Sequence, residues 1–483
     1  MGFDFDAVTR QNLGYNLIDW INQYFSSLSD RPVQLPLERR TFEQLPECMP
    51  EVARDAASVL DDTCRELIEK GFHVPSANYF GLMNPTPAYM AVLAEALVAA
   101  LNPQLASLAR SQLASKIENQ TVRWIGSRVG WQVPFDGTFT SGGNEANFSG
   151  LALALSAHFP GVVENGVASI GAQPVLYASS EAHHSIDKSA GLLGIGRNAL
   201  RRVAVNARLQ LDVDKLDALI ASDIAAGRKP FAVVATAGTT NSGAIDDLEA
   251  LGELCRRRDL WLHVDGAYGA AAIISDRHRH LVRGIENADS ITIDPHKWLA
   301  MPFAAGIVLT SHPELLQQTF AVATPYMPRA GEARLVDHFK ISAQWSRRMN
   351  SLKLWLTLRV HGRQAYEDLI DRQLKLAARF AEWVQSSPDF ELAAPQVLPI
   401  VNFRVKAASF DHDEREIAAA NQEIVEAITN EGRHWLSTTC VAGRSTIRMM
   451  VISYLSEERH LQGLQHALEQ AAAKVAHGCP TSA

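Results

Sequence analysis

Short apolar runs alternate with amphipathic stretches through the middle of the chain. β-rich runs occupy positions 174–179, 231–236, 260–265, 290–294 and 306–310, and apolar residues at helical spacing mark 213–226 and 248–258. Strands separated by helices predict βαβ units that build a mostly parallel sheet. Ligands bind at the carboxyl ends of strands in such sheets, so the residues that follow each run are candidates for a functional site.

The two ends of the chain have different patterns. Apolar spacing predicts helices over 11–28 and 52–70 with four prolines between them, a long helix from 351 toward 386 and a last helix over 456–475, with strands at 398–405 and 445–453. We therefore predict an N-terminal helical arm over 1–80, a large domain over 81–358 and a smaller C-terminal α/β domain over 359–483. The arm has too little core of its own, which favours packing on a partner subunit.

Composition narrows the class of protein. The 483 residues are 47% hydrophobic and 20% charged, the ordinary balance of a globular protein, and the net charge of −8 disfavours nucleic acid as a partner. The five cysteines are scattered without a CxxC pair, which favours a reducing compartment. No signal peptide is visible, and the longest apolar stretch, near 90–101, is far shorter than the roughly 20 residues that span a bilayer. We expect a soluble cytoplasmic protein without a membrane partner.

The segment 138–147, TFTSGGNEAN, leads into a helix rich in Ala and Leu. Gly142, Gly143 and the small polar residues around them leave backbone N–H groups free at the helix start, and the helix dipole adds positive potential there. This pattern suits one phosphate group, although a simple glycine turn with a helix cap is an equally good interpretation. The segment matches neither GxGxxG nor Walker A, so dinucleotides and triphosphates lose support.

Two further motifs place charged side chains after strands. Asp265 ends the run LWLHVD, where a buried carboxylate is costly unless it meets a cation or hydrogen-bond donors. Lys297, in DPHKW, follows the next strand and is a candidate nucleophile for an imine. A phosphate cradle, an acid and a lysine together are what pyridoxal 5′-phosphate requires, since an acid that keeps the pyridine nitrogen protonated makes the ring a better electron acceptor.

The segment 178–185, ASSEAHHS, offers a flat imidazole near the same strand ends. His183 is suited to stacking on a pyridine ring. The pair His183 and His184 is also compatible with a metal site, but no third ligand stands at usable spacing, so we predict no metal.

At this point the sequence resembles a known family, the pyridoxal-phosphate-dependent group II amino acid decarboxylases, and within it the aromatic-L-amino-acid decarboxylases. The resemblance runs from Tyr79 onward and is densest in HVDGAYGAA, DPHKW and RRMNSLKLW. It implies the fold-type I aminotransferase architecture, α/β with a mostly parallel seven-stranded sheet in the large domain. It also implies a homodimer with active sites at the subunit interface.

The resemblance further implies roles for individual residues. Lys297 would form the Schiff base with the cofactor, Asp265 would pair with the pyridine nitrogen, and His183 and Ala267 would lie on the two faces of the ring. The implied phosphate and cofactor contacts are Gly142, Gly143, Asn144, Thr239, Asp294 and His296. Tyr79 and Phe80 stand where family members wall the substrate pocket with aromatic side chains.

Two positions depart from the family pattern. Asp294 replaces the Asn that aromatic-amino-acid members usually carry, which changes the polarity near the phosphate. The family's mobile loop is expected to carry a catalytic tyrosine nine residues before the paired arginines, here Arg347 and Arg348, and that position is His338. His338 is therefore a candidate proton donor, and some relatives without the tyrosine release an aldehyde.

The leading hypothesis is decarboxylation of an L-amino acid with an aromatic or bulky apolar side chain, giving an amine and CO2. One alternative is a decarboxylating aldehyde synthase, which also releases ammonia and peroxide. Another is an acidic amino acid as the substrate, because Arg110 lies in a segment that could reach a neighbouring active site. A non-catalytic homologue would be expected to lack Lys297 or Asp265, and the chain has both.

Overall fold

A computed structural model describes residues 3–40, 48–323, 336–406 and 413–476. The larger of its two sheets consists of β1 (Asp136–Thr140), β2 (Pro174–Ser179), β3 (Leu200–Val203), β4 (Lys229–Thr236), β5 (Trp261–Asp265), β6 (Ser290–Ile293) and β7 (Gly306–Thr310). The strand order is β1-β7-β6-β5-β4-β2-β3. β7 runs antiparallel to both of its neighbours, β1 and β6, and the other four strand pairs of the described sheet are parallel. The predicted mostly parallel, seven-stranded α/β sheet is therefore confirmed.

Helices pack on this sheet and on the C-terminal sheet described below, and others form the N-terminal region. They are α1 (Ala7–Ser27), α2 (Ala56–Lys70), α3 (Tyr89–Leu101), α4 (Leu108–Gly126), α5 (Gly143–His158), α6 (Val162–Asn165), α7 (Ser185–Leu192), α8 (Val213–Ala225), α9 (Leu248–Arg258), α10 (Pro313–Phe320), α11 (Ser351–Ser386), α12 (Glu414–Glu431) and α13 (Glu458–Ala476). Gly362 interrupts α11 with a φ of +72°, a conformation that glycine adopts without steric cost.

A second sheet lies in the C-terminal region and is antiparallel throughout. It contains β8 (Phe390–Leu392), β9 (Ile400–Val405), β10 (Ser437–Val441) and β11 (Arg444–Met450), in the order β10-β11-β9-β8. Its apolar face packs with α12, α13 and the second half of α11. Helix α11 runs through the predicted domain limit at position 358, and its interruption lies at Gly362 instead; the three domain ranges stay a prediction.

The element pattern read from the sequence missed the two edge strands of the large sheet. β1 has the sequence DGTFT, and β3 has LRRV with both arginines half-buried. An edge strand pairs on one side only and tolerates polar residues, so neither segment shows the apolar run that marks the inner strands. Arg201 and Arg202 of β3 instead pair with Asp223 and Asp187.

Helix α5 packs across the central strands and begins at their carboxyl ends. Two glycines allow this close approach. A Cβ at Gly150 would lie 2.5 Å from the ring of His263, and one at Gly143 would lie 2.6 Å from a carboxylate oxygen of Asp294. The start of α5 is thereby held against the ends of β5 and β6.

The edge strand β1 is fixed by a buried ion pair. Glu118 on α4 pairs with Arg347, and both side chains are almost completely buried. Glu118 Oε1 accepts the Phe139 N–H at 3.2 Å, and Arg347 donates to the Phe139 carbonyl at 2.8 Å. The pair therefore anchors the strand that leads directly into the start of α5.

The N-terminal helices α1 and α2 contain no buried residue. They expose large apolar side chains, among them Val8, Tyr15, Leu17, Val59 and Leu67. Among the described helices, none combines the length and the apolar character that crossing a bilayer requires.

We predict that Glu118→Gln lowers the stability of the protein strongly, because it leaves the buried Arg347 without its counter-charge. Breaking one side of a buried pair typically costs about 3–5 kcal/mol. Thermal and urea unfolding monitored by circular dichroism measure the loss. The matched control is Glu458→Gln, which removes an exposed pair with Arg379 and should cost about 0–1 kcal/mol. Equal shifts for the two variants would contradict the anchoring role.

Candidate active site

Acidic and basic side chains converge where β5 and β6 end. Asp265 is the last residue of β5, and Asp294 directly follows β6; both are at most 5% exposed. Lys297 Nζ lies 3.3 Å from Asp294 Oδ2, and His296 Nε2 lies 3.5 Å from the same oxygen. The turn is held by the Asp294 N–H, which donates to the Ala267 carbonyl at 3.0 Å. The parallel sheet thus brings an amine, two carboxylates and an imidazole to one edge.

The first turn of α5 borders this cluster. Gly142 has a φ of +148°, and a Cβ there would come within 3.1 Å of the His296 ring. A Cβ at Gly143 would meet both Asp294 and the Ala267 side chain, at 2.6 and 3.3 Å. Asn144 is exposed at the helix start. Backbone N–H groups at the beginning of a 16-residue helix make an anion site beside the Lys297 turn.

His183 faces the same cluster from the loop after β2. Its Nδ1 is 2.9 Å from the Ser185 hydroxyl oxygen and also accepts the Ser185 N–H at 3.2 Å. Burial lowers the pKa of His183 below its ordinary value, against the opposing effect of the nearby Asp265 carboxylate, and Lys297 lowers it further. A neutral, solvent-exposed imidazole is suited to lie against a flat ring. His184, by contrast, is almost fully exposed.

The Asp265 carboxylate is held by one donor on each oxygen. Asn147 Nδ2 donates to Oδ2 at 2.9 Å, and the Ala267 N–H donates to Oδ1 at 3.2 Å. Two donors offset much of the cost of burying an ionised group. The remaining lone pairs leave the carboxylate able to accept a hydrogen bond from a ligand.

Three features of the site at the ends of β5 and β6 fit pyridoxal phosphate. Gly143 provides a cradle that any side chain would fill. Asp294 Oδ1 and Thr236 Oγ1 are buried without a hydrogen-bond partner in the described structure, as expected where a polar ligand completes the site. The donor set combines an amine, a carboxylate and an anion site.

Thr239 is buried in the loop that follows β4, with its hydroxyl 2.8 Å from that of Ser242. Within the described ranges, no group of three or more potential metal ligands forms.

The two aromatic residues expected in the substrate pocket are both buried in the described structure. Phe80 is 0% exposed and packs inside the core of the C-terminal sheet, so its ring presents no surface to a substrate. Tyr79 stacks on Trp435 with the ring centroids 5.4 Å apart, and Phe72 contacts both rings edge-on. We call Phe72, Tyr79 and Trp435 the aromatic cluster.

His338 does not lie on an exposed loop. Its side chain is 0% exposed, and its Nδ1 is 3.6 Å from Glu118 beside the buried Arg347. Burial lowers the pKa of His338, so the ring is neutral where an acid would need a proton. The structure gives no support to a proton-donor role, because the ring is enclosed among residues that anchor β1 rather than beside Lys297.

Three polar residues of the site escaped sequence reasoning: Asn147, Ser185 and His263. Asn147 and Ser185 connect Asp265 to His183, and His263 contacts Asn147. All three side chains are buried. Two signals were available. His263 is a polar residue inside an apolar strand, two positions before Asp265 and therefore on the same face, and Asn147 lies one helical turn after Gly143.

Comparisons with known proteins agree with this geometry. The model of the pyridoxal-dependent decarboxylase conserved domain matches residues 36–406. An aromatic-L-amino-acid decarboxylase from Bacillus atrophaeus is 32% identical over 454 residues, which cover 92% of each chain.

Two solved structures have the same fold over nearly their whole length. The crystal structure of Rhodiola rosea 4-hydroxyphenylacetaldehyde synthase is 27% identical with a TM-score of 0.87, covering 98% of this chain and 99% of that one. Catharanthus roseus tryptophan decarboxylase in complex with L-tryptophan is 25% identical with a TM-score of 0.88, covering 98% and 100%. The chain therefore belongs to the pyridoxal-dependent decarboxylase family and is a pyridoxal-phosphate-dependent carboxy-lyase that acts on an amino acid.

Proposed function

We propose that the protein decarboxylates an L-amino acid with an aromatic or bulky apolar side chain and releases the amine and CO2. The observation that carries the proposal is the convergence of Lys297, Asp265 and His183 on the glycine cradle at the start of α5. Pyridoxal phosphate, when bound, supplies an aldehyde that bonds to an amine and a ring that accepts electrons from a breaking bond at Cα.

Each residue near the cradle has a proposed task. Lys297 holds the cofactor covalently and Asp265 keeps the ring nitrogen protonated, while His183 and Ala267 confine the ring between them. The proposed phosphate and neighbouring contacts are Gly142, Gly143, Asn144, Thr239, Asp294 and His296. Lys297 Nζ lies 3.3 Å from Asp294 Oδ2, and an ammonium group has to give up a proton before it can bond to an aldehyde. His296 Nδ1 accepts the Ala305 N–H at 3.1 Å, so the proton of the neutral ring lies on Nε2, which faces the same carboxylate, and burial lowers the pKa of this ring.

Two observations support an aromatic substrate. The aromatic cluster adjoins Gly81, whose carbonyl accepts from Arg448, and Arg448 Nε donates to the carbonyl of Thr240, next to Thr239. The cluster is thereby tied to the cofactor side of the sheet. Among relatives, the Bacillus protein is named for aromatic L-amino acids, and the Catharanthus structure contains L-tryptophan. An acidic substrate is the alternative that rests on Arg110, which is exposed on α4, as a residue that reaches a neighbouring active site would be.

An aldehyde synthase is the second candidate. The Rhodiola relative, named for 4-hydroxyphenylacetaldehyde, is 27% identical in its solved structure, against 25% for the Catharanthus tryptophan decarboxylase and 32% for the Bacillus protein. That reaction consumes O2 and yields the aldehyde, CO2, ammonia and peroxide instead of the amine, so the products separate the two candidates.

We also infer a homodimer. The apolar side chains that α1 and α2 expose have no core of their own to enter, and a second copy of the chain would cover them. The resemblance to family members with interface active sites supports the same arrangement.

A cytoplasmic location is a further proposal. Cys48, Cys64, Cys255 and Cys440 are free thiols, which suits a reducing compartment.

Lys297→Ala is expected to remove both the covalent cofactor and turnover, because the imine requires that amine. The wild type should be yellow after incubation with pyridoxal phosphate, and borohydride reduction followed by mass spectrometry should label the peptide that contains Lys297. Lys188→Ala, at an exposed lysine on α7, serves as the control and should behave as the wild type. A colourless wild type, or an active Lys297→Ala, would overturn the assignment.

The products should be an amine and CO2 from tryptophan, tyrosine or phenylalanine, with glutamate much poorer. His338→Gln should leave the ratio of amine to aldehyde unchanged from about pH 6 to 9, a range that brackets the ordinary imidazole pKa, because the ring is enclosed away from the site. Chromatography with parallel peroxide and ammonia assays measures the ratio. A shift toward aldehyde in the variant would restore His338 as a proton donor.

Light scattering coupled to size exclusion should give twice the chain mass of 52.9 kDa. Tyr15→Glu with Leu17→Glu should shift the protein toward monomer, since charges on α1 oppose burial of that face. Val163→Glu, at an exposed apolar residue of α6, is the comparison and should remain dimeric. A fully active wild-type monomer would refute the dimer.

A further inference from the structure

A buried chain of hydrogen bonds runs behind the site. Trp261 Nε1 donates to the Ser290 hydroxyl oxygen at 2.8 Å, and that oxygen is 2.8 Å from His263 Nδ1. His263 Nε2 lies 3.0 Å from Asn147 Oδ1. All four side chains are at most 4% exposed. Water is therefore excluded from the chain, and its members have to satisfy one another.

The Asp265 carboxylate fixes the directions of these bonds, because an ionised carboxylate can only accept: the Asn147 NH2 group has to face Asp265, and the amide oxygen has to face His263. At the other end of the chain, the indole N–H of Trp261 donates to the Ser290 oxygen, and the Ser290 hydroxyl donates to His263 Nδ1. A neutral imidazole that accepts at Nδ1 carries its proton on Nε2, which then donates to the Asn147 carbonyl oxygen. Burial lowers the pKa of His263 to about 4, in agreement with a neutral ring. The Asn147 oxygen thus faces His263, and its NH2 group faces the other way.

That NH2 group has two hydrogens and two acceptors. Asn147 Nδ2 donates to Asp265 Oδ2 at 2.9 Å and to the Ser185 oxygen at 2.9 Å. Ser185 in turn donates to His183 Nδ1 at 2.9 Å. One amide therefore contacts the acid proposed for the pyridine nitrogen and, through Ser185, the imidazole proposed for the ring face.

We propose that Asn147, oriented by His263, is a positioning residue that fixes Asp265 and His183 relative to each other for pyridoxal phosphate. A reversed amide would bring its oxygen against the Asp265 carboxylate, and the His263 donor prevents that reversal. The inference rests on the cofactor roles proposed above for Asp265 and His183. It adds that one residue, Asn147, positions both the contact to the ring nitrogen and the contact to the ring face.

The alternative is that the chain only joins α5 to the sheet. Loss of Asn147 would then lower stability and leave cofactor binding unchanged once the protein is folded. The experiment therefore compares Asn147→Ala with Asn421→Ala. Asn421 is equally buried, but it binds the Val405 N–H and the Ser445 carbonyl in the C-terminal region, away from the cofactor site.

Apoenzyme of each variant is titrated with pyridoxal phosphate, and the absorbance spectrum of the bound cofactor is recorded against pH. Asn147→Ala should raise the Kd about tenfold or more, because a charged carboxylate loses a hydrogen bond. It should also shift the spectral pH midpoint. Asn421→Ala should lower the Tm and change neither the Kd nor the spectrum. A wild-type Kd and spectrum in folded Asn147→Ala would overturn the proposal.

A second pair of variants tests the positioning role of Asn147 if Asn147→Ala does not fold. His263→Leu removes the donor that orients the amide, whereas the side chain of His263→Gln retains an N–H to offer Asn147. We expect weaker cofactor binding in His263→Leu and partial rescue in His263→Gln. Equal Kd values for both and the wild type would also overturn the proposal. A wild type that binds no pyridoxal phosphate would instead refute the proposed function itself.

Discussion

The burial of the Asp265 carboxylate is the constraint on which the rest of the site depends. A carboxylate at the end of an inner strand, 5% exposed, is tolerated only with donors on its oxygens. The Ala267 N–H supplies one, and the other comes from Asn147 on α5. Because Asn147 lies one turn after Gly143, the helix that supplies this donor also carries the anion cradle. Donating to one buried acid thereby sets the distance between Asp265 and the glycine cradle, the two ends of the proposed cofactor site.

The sequence of α5 is adapted to this close contact. Gly143, Asn147 and Gly150 follow one another at spacings of four and three, which places them on one face of the helix. The two glycines contact Asp294 and His263, where a Cβ would collide, and the asparagine donates to Asp265 between them. A single helix face therefore combines packing, anion binding and the orientation of the acid.

Local pattern was enough to predict much of the fold and to single out part of the candidate site. The inner strands and the helices near 213–226 and 248–258 stand out by periodicity, and Lys297 and Asp265 stand out as charges after strands. The link between Asn147 and His263 joins residues 116 positions apart, so no local pattern reveals it. The expected roles of Phe80 and His338 come from resemblance to a family, and resemblance does not reveal that both side chains are buried.

The most direct test of the central claim is a crystal structure of the protein grown with pyridoxal phosphate. We predict phosphate density at the N–H groups of Gly143 and Asn144, the aldehyde carbon bonded to Lys297 Nζ, and the pyridine nitrogen within hydrogen-bond distance of Asp265, with Asn147 still donating to that carboxylate. Density for the cofactor at any other place, or an unmodified Lys297 in a crystal saturated with it, would contradict the account.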